Sequence, residues 1–440
     1  MFAAVVPAAG GQPAQDDGFD VLVRNGTVVD GSGGDGFPAD VAVRGDRIVQ
    51  VGDLEDATAE QVIDASGLVV APGFIDIHTH ASTAALREAQ SSLTQGVTTE
   101  LLNTDGGGSL NVAQRLSIEE GGLGINVGAY TPFNSIWSNI VGNDDRRATD
   151  AEMERMRGLV TSGMANGGWG VSSGLSYTPA AFAETDQVIG VVEAARQWRT
   201  NYPSHIRNEN DTVIEATAEA IEVGEEAGLV PVVTHMKAMG PANWGKTEET
   251  LGLIEDANER GTYTAADVYP YLRSQTGIHA TIPAWIKDGG REAMLDRFED
   301  PELRPQILDE IEELLQSRVI GPEGVWIRSL GQTLEEVAQD MGDVRPGEAV
   351  IEVVTEHGNL SSIWTFGHED DLERLIQAPT TAIASDGGAS TSATTHPRRY
   401  GTNPRVLGRY VREQGVLGLE EAVHKMTGLP ATIIGMVDRG

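Results

Sequence analysis

"APGFIDIHTHAS", residues 71–82, sets two histidines one residue apart at the end of an apolar run, in a chain with only nine histidines among 440 residues. Side chains two apart on an extended strand project to the same face. A strand over 74–80 therefore turns His78 and His80 the same way, so that two imidazoles can meet one cation. The plainer alternative is a pair of polar residues at a strand end. The rest of the chain has to decide between them.

From Pro72 to about residue 400, short apolar runs alternate with helical stretches. "GVTTELLNT", "GWGVSSG", "LVPVVTHMK", "TYTAADVYPY" and "TTAIASDGG" read as strands. "DAEMERMRGLVTSGM", "TVIEATAEAIEVGEEAG", "TEETLGLIEDANERG" and "DDLERLIQAP" read as helices; in the second of these, Ile214, Ala218 and Ile221 share a face. Such alternation implies parallel strands with helical crossovers, and so many units favour a closed (β/α)8 TIM-like barrel over an open sheet. No Gly-x-Gly-x-x-Gly or Walker loop follows a strand, which removes support for a nucleotide site.

The expected organisation has four parts. Residues 1–18 are a disordered start or a signal remnant. They are rich in small residues but lack a basic n-region and a full apolar core, which leaves a cytoplasmic or an exported location open. Residues 19–71 form a small β domain, from "DVLVRNGTVVD", "ADVAVRGDRIVQVG" and "QVIDASGLVV". Residues 72–400 form the barrel. Residues 401–440 are a helical segment leading back to the small domain.

In such a barrel the chemistry sits at the C-terminal ends of the strands. Here those ends carry His78 and His80, Asp105, His205, His235 and Asp386. Four histidines and two carboxylates, each just after an apolar run, are the ligand set of a hydrolytic site with one or two zinc ions. The second strand offers both Glu100 and Asp105. They lie roughly 16 Å apart along a strand, with opposite parity. Asp105 is nearer the mouth and is the expected ligand; Glu100 is the reserve.

Composition narrows the partners. The net charge is −35, with acid spread along the whole chain. This argues against nucleic acid or an anionic membrane, both of which need a basic face. Four lysines accompany 27 arginines, an acidic, lysine-poor surface that hints at a high-salt source. The absence of cysteine excludes disulfides, thiolate nucleophiles and cysteine-bound zinc.

The motifs together resemble the metal-dependent amidohydrolase superfamily, and within it the N-acyl-D-amino-acid deacylases. The resemblance runs from about residue 19 to the last residue. It rests on "APGFIDIHTH", "QGVTTE", "SGLSYTPA", "SHIRNE", "VVTHMKAMGPANWGKTEETLGLIE", "DVYPY", "ASDGG", "HPRRYGTNPRVLG" and "KMTGLPA". It implies that His205 and His235 hold a tight zinc, that His78 and His80 hold a second and weaker metal, and that the strand-2 residue bridges. Close deacylase relatives have a cysteine at that position, where this chain has Asp105. A carboxylate is a harder ligand than a thiolate. Many superfamily members bridge instead with a carbamylated lysine on strand 4, which is impossible here because the first lysine is Lys237. Asp386 matches the family's catalytic aspartate. Tyr177, Lys237, Ser274 and Arg398 match the anchor of the substrate α-carboxylate, and a cation with hydroxyls suits that group.

The resemblance implies zinc-dependent hydrolysis of an N-acyl-D-amino acid, a small-molecule substrate. A cyclic amidase, dihydroorotase- or hydantoinase-like, is the alternative on the same metal site; a non-catalytic metal- or ligand-binding relative is the other. The missing strand-4 lysine and the Tyr177/Lys237 pair favour the deacylase. His279, His357, His368 and His424 are expected to be structural or surface residues, and His396 to lie near Asp386. Asp76 either orients a ligand or closes a strand-end turn. Arg207 and Glu209 share the parity of His205 and are expected to pair with each other. Relatives continue past "MVDRG" with strands that complete the small β-layer, so here the layer is expected to expose an edge.

Overall fold

Eight short parallel strands close into a barrel in the computed structural model, which describes residues 18–439. In chain order they are Phe74–Asp76, Val97–Leu102, the pair Asn126–Ala129 and Thr131–Pro132, Val171–Gly174, Asn201–His205, Val230–Val233, Ala265–Val268 and Thr381–Ile383. Each pairs with its sequence neighbour. A bridge from Thr79 to Gly387 joins the last strand back to the first. The Asp76 carboxylate tightens this seam by accepting from the amides of His78 (3.3 Å) and Ser385 (3.0 Å).

The strands are buried nearly throughout, as expected for parallel strands covered by helices. Local sequence explains the crossovers. Thr149 and Glu152 form a reciprocal capping box that starts the helix Asp150–Ala165. The helix Val213–Ala227 ends at Gly228, whose φ of 69° suits a residue without Cβ. Ile221, Ile254 and Leu375 from three helices pack with Val233, Val268 and Ile383 from the strands to form the main core.

Residues 18–70 form a five-stranded sheet. Phe19–Val28 pairs with Phe37–Arg44 on one side and Ala59–Asp64 on the other, and Arg47–Gly52 lies beyond Phe37–Arg44. The stretch expected as one element over 39–52 is a hairpin, turned at Gly45. The segment over 1–18, expected to be disordered or a signal remnant, lies outside the described residues except for Gly18. The outer strands expose apolar side chains, with Ile48 at 64% and Val62 at 54%. The helices Leu419–Met426 and Gly428–Ile434 return toward this sheet, and His424 Nδ1 lies 2.8 Å from the Gly31 carbonyl oxygen.

One large feature escapes the strand–helix alternation. Between the seventh and eighth strands the chain builds an antiparallel sheet from Arg273–Gly277, Ser361–Thr365, Val325–Ile327 and Gln332–Thr333. The helices Arg304–Arg318 and Pro346–His357 pack on it around a separate core containing Ile311, Val350 and Trp364. This excursion meets the barrel at Gly240 (φ 82°), whose N–H donates to the Phe366 carbonyl at 3.0 Å. A Cβ there would run into the Ser317 carbonyl oxygen. Gly240→Ala is therefore expected to lose about 2–4 kcal/mol, from positive-φ strain plus a backbone clash. Urea denaturation would measure it, and a loss below about 1 kcal/mol would show that the junction yields easily.

Candidate active site

The mouth of the barrel gathers the residues singled out at the strand ends. Asp105 is central. Its Oδ1 lies 3.2 Å from His78 Nε2 and 3.7 Å from His235 Nε2; its Oδ2 lies 3.1 Å from His80 Nε2 and 4.0 Å from His205 Nδ1. Asp386 Oδ1 is 3.1 Å from His80 Nε2 and 3.7 Å from His78 Nε2. Two donor groups result, His78–His80–Asp105–Asp386 and Asp105–His205–His235, and Asp105 belongs to both.

The donor set fits a cation. Both ring nitrogens of His78, Asp105 Oδ1 and His205 Nδ1 are buried without a hydrogen-bond partner. Such orphans are costly unless something binds them. Without a metal, burial opposes protonation of His80, but the carboxylates of Asp105 and Asp386 outweigh it and raise its pKa. Burial dominates at His205 and pushes it down to about 4.

The local chain makes these presentations possible. The first strand ends at Asp76, earlier than expected, yet His78 and His80 still reach Asp105 because the Thr79–Gly387 bridge holds the segment straight. Asp105, His235 and Asp386 all adopt left-handed backbone, with φ of 53°, 35° and 49°. Non-glycine residues take that region at a cost, and such strain gathers at functional sites. Glu100 lies elsewhere. It is fully buried, accepts from Ser92 Oγ at 2.5 Å and from the Ala389 amide at 3.2 Å, and ligates nothing in the cluster.

A cavity of about 350 Å³ opens beside the cluster, lined in part by Tyr177, Lys237, Ser274, Arg318, Asp386 and Arg398. Arg398 is buried and donates to Asp386 Oδ2 at 2.6 Å. Burial opposes ionisation of Asp386, but Arg398 and the imidazoles outweigh it and hold its carboxyl well below the usual range. Lys237 pairs with Glu209 and lies 2.8 Å from His235 Nδ1. The Tyr177 ring packs 4.6 Å from that of His205. His396 is buried behind Arg398, whose amide it accepts at Nδ1 (3.0 Å). His279, His357, His368 and His424 stand outside the cluster.

One expectation needs correcting. Arg207 and Glu209 do not pair with each other. Arg207 turns outward to Glu219, at 2.7 Å, while Glu209 turns inward to Lys237, to His235 Nδ1 at 3.1 Å and to His205 Nε2 at 3.5 Å. The strand ends at His205, so the alternation of faces stops there too. Asp267 is a residue the sequence reasoning missed. Its Oδ1 accepts from the His235 amide at 2.7 Å and lies 3.5 Å from His78 Nδ1. The signal was available, as an acid inside the buried strand Ala265–Val268.

Comparison with known proteins places this site in context. Residues 61–114 match the Amidohydrolase family. The D-aminoacylase of Alcaligenes xylosoxydans xylosoxydans is 33% identical over 96% of this chain and 85% of its own length. The chain belongs to the N-acyl-D-amino-acid deacylase family of amidohydrolases. The N-acyl-D-glutamate deacylase of the same organism is 32% identical over 96% of this chain and 84% of its own. The structure of N-acyl-D-glutamate deacylase from Bordetella bronchiseptica, complexed with zinc and a phosphonate inhibitor that mimics the tetrahedral intermediate, superposes with a TM-score of 0.81. It is 29% identical and covers 96% of this chain and 87% of that one. This likeness supports the (β/α)8 barrel with its small sheet domain.

The buried acids at the barrel seam carry a pH prediction. Burial, with the Asp76 charge close by, pushes Glu100 up to about 7 from 4.5, and burial pushes Asp76 up to about 6. A carboxyl with a raised folded pKa holds a proton that the unfolded chain has already lost, so its contribution falls as pH rises from 4.5 through about 7. Glu100→Gln can still accept from the Ala389 amide through its oxygen and donate to Ser92 Oγ through its NH2, and it removes the titration. Across about pH 5 to 8, wild type should lose about 1–3 kcal/mol relative to this variant. Urea denaturation at each pH checks it; parallel profiles would mean that Glu100 ionises normally.

Proposed function

We propose that this chain is a metal-dependent hydrolase that cleaves the linear amide of an N-acyl-D-amino acid, releasing the D-amino acid and a carboxylate. The observation that carries the reading is Asp105 shared by two donor groups whose buried nitrogens lack partners, beside Asp386, whose Oδ1 lies 3.1 Å from His80 Nε2. His205 and His235 would hold one ion, His78 and His80 a second, and Asp105 would bridge them. Zinc suits the imidazole-rich set. A zinc ion bound there would supply an acidified water and a polarised scissile carbonyl.

The chain's own residues supply the rest. Asp386 is anionic at neutral pH and sits at the edge of the donor cluster, placed to accept the proton of an attacking water and deliver it to the departing amine. Arg398 fixes the carboxylate through Oδ2 and leaves Oδ1 facing the histidines. Asp267 and Glu209 hold His78 and His235 from behind, which sets their orientation as ligands. Tyr177 and Ser274 offer hydroxyls to the substrate α-carboxylate in the cavity wall, with Lys237 and Arg398 adding positive charge.

The test is hydrolysis of N-acetyl-D- against N-acetyl-L-amino acids, with and without added zinc. Release of D-amino acids should cease with a chelator and return with zinc. Asp386→Ala should lower kcat by about 10²–10⁴-fold while metal content stays close to wild type. Metal bound stoichiometrically with no turnover of either series would sink the substrate assignment.

A further inference from the structure

The cavity wall holds four cations, and they are not equivalent. Lys237 is paired with Glu209 and Arg398 with Asp386. Arg399 is clamped at the metal-side rim, donating to the carbonyls of His80 (3.1 Å) and Gly387 (2.6 Å). Arg318 forms no ion pair among the described residues. Its Nη1 donates to the Ala280 carbonyl at 2.6 Å and its Nε to Asn210 Oδ1 at 3.3 Å, and its Nη2 has no hydrogen-bond partner among the described residues. The nearby acids are committed elsewhere: Glu209 to Lys237, and Asp211 to the amides of Asn210 and Asn243.

Arg318 also has cationic company. The 3-10 turn Ile278–Thr281 presents adjacent carbonyls, Ala280 to Arg318 and His279 to Lys287 (3.1 Å). Burial, with the Arg318 charge beside it, pushes Lys287 down to about 7. Arg291, in the same small cavity as Lys287 and His279, donates among the described residues to the carbonyls of Val354 and Thr355. Among the described residues neither arginine pairs with a carboxylate, in a chain with 66 acidic residues against 31 basic ones. Carbonyl oxygens, with Asn210 Oδ1 at Arg318, hold both guanidiniums in place without a paired carboxylate.

We propose that Arg318 binds a second carboxylate on the substrate, the one on its side chain, so that the preferred substrates are N-acyl derivatives of acidic D-amino acids. This rests on the deacylase reading. The α-carboxylate lies two bonds from the scissile nitrogen, so its anchors must sit against the histidine cluster, as Tyr177 and Lys237 do. Arg318 hydrogen-bonds to no member of that cluster and is tied to the turn beyond it. It lines the same cavity from the side of the excursion, next to Ala280, whose carbonyl holds it. A guanidinium with a free Nη2 is the side chain that recognises a carboxylate with directed hydrogen bonds. A neutral side chain there would leave a desolvated cation facing an uncharged group.

The near-isosteric pair N-acetyl-D-glutamate and N-acetyl-D-glutamine tests this directly. Wild-type zinc enzyme should prefer the glutamate in kcat/KM by about 30-fold or more, since sites built around a polar group discriminate strongly. Arg318→Gln should bring the ratio to within about threefold, mainly through KM for the glutamate, and Arg318→Lys should restore part of it. Melting curves confirm that both variants fold. A wild-type preference for the glutamine overturns the proposal. So does a parallel fall on both substrates in Arg318→Gln, which would place the α-carboxylate at Arg318. So does a change confined to N-succinyl against N-acetyl substrates, which would place the acyl group there. If no N-acyl-D-amino acid turns over, the deacylase reading fails by itself, and calorimetric binding of N-acetyl-D-glutamate decides. Binding tighter than that of the glutamine and lost in Arg318→Gln sustains the anion site; equal binding removes it.

Discussion

The fold is organised around a carboxylate surrounded by imidazoles. Asp105 lies within 3.1–4.0 Å of nitrogens from four histidines, nearly all of them buried. Taking that many ionisable groups out of water costs several kcal/mol per charge unless each finds a partner. One carboxylate cannot satisfy four rings, and the orphaned nitrogens of His78 and His205 show the shortfall. The surroundings are arranged to hold this deficit in place. Asp267 and Glu209 brace the rings, Asp76 draws the last strand onto the first, and Asp105, His235 and Asp386 accept left-handed backbone to face the mouth.

The barrel and its cluster were legible because both follow from periodicity. Buried parallel strands read as continuous apolar runs, and a polar residue at the end of such a run stands out. His205 after "TNYPS" and His235 after "LVPVVT" are visible for that reason. Asp105 was separable from Glu100 by strand geometry, and the two do part, one to the mouth and one to the seam. Legibility stops where the strand stops. Glu209 and Arg207 part from each other, one to Lys237 and His235 and one to Glu219, because the chain turns after His205. Asp267 hid in a strand interior, where an acid reads as an interruption and not as support for a neighbour.

The excursion between the seventh and eighth strands was the least legible part. Its strands are short, antiparallel and paired across long separations, as Arg273 is with Thr365. No local period announces such pairing, because register there is set by tertiary contacts and not by spacing in sequence. Yet this segment supplies Ser274, Gln275, Thr276, Ala280, Arg318 and Trp364 to the cavity wall. The barrel ends hold the groups that would meet the reacting bond, and the excursion holds the groups that would meet the rest of a substrate.

This division has a physical basis. Ligands to a metal must be placed to a few tenths of an ångström, which rigid strand ends can do. Groups that read a substrate side chain tolerate looser placement and need a surface that can vary without disturbing the barrel, as loops between strands do. The charge pattern follows the same line. Near the cluster every cation but the rim's Arg399 is matched by a carboxylate, Lys237 by Glu209 and Arg398 by Asp386, so a metal entering there meets a balanced field. On the excursion Arg318 and Arg291 have no carboxylate partner among the described residues and are held by backbone carbonyls, with Asn210 Oδ1 also at Arg318. In so acidic a chain, Arg318, a cation of the cavity wall with no carboxylate partner among the described residues, makes the negative partner a property of the ligand and not of the protein.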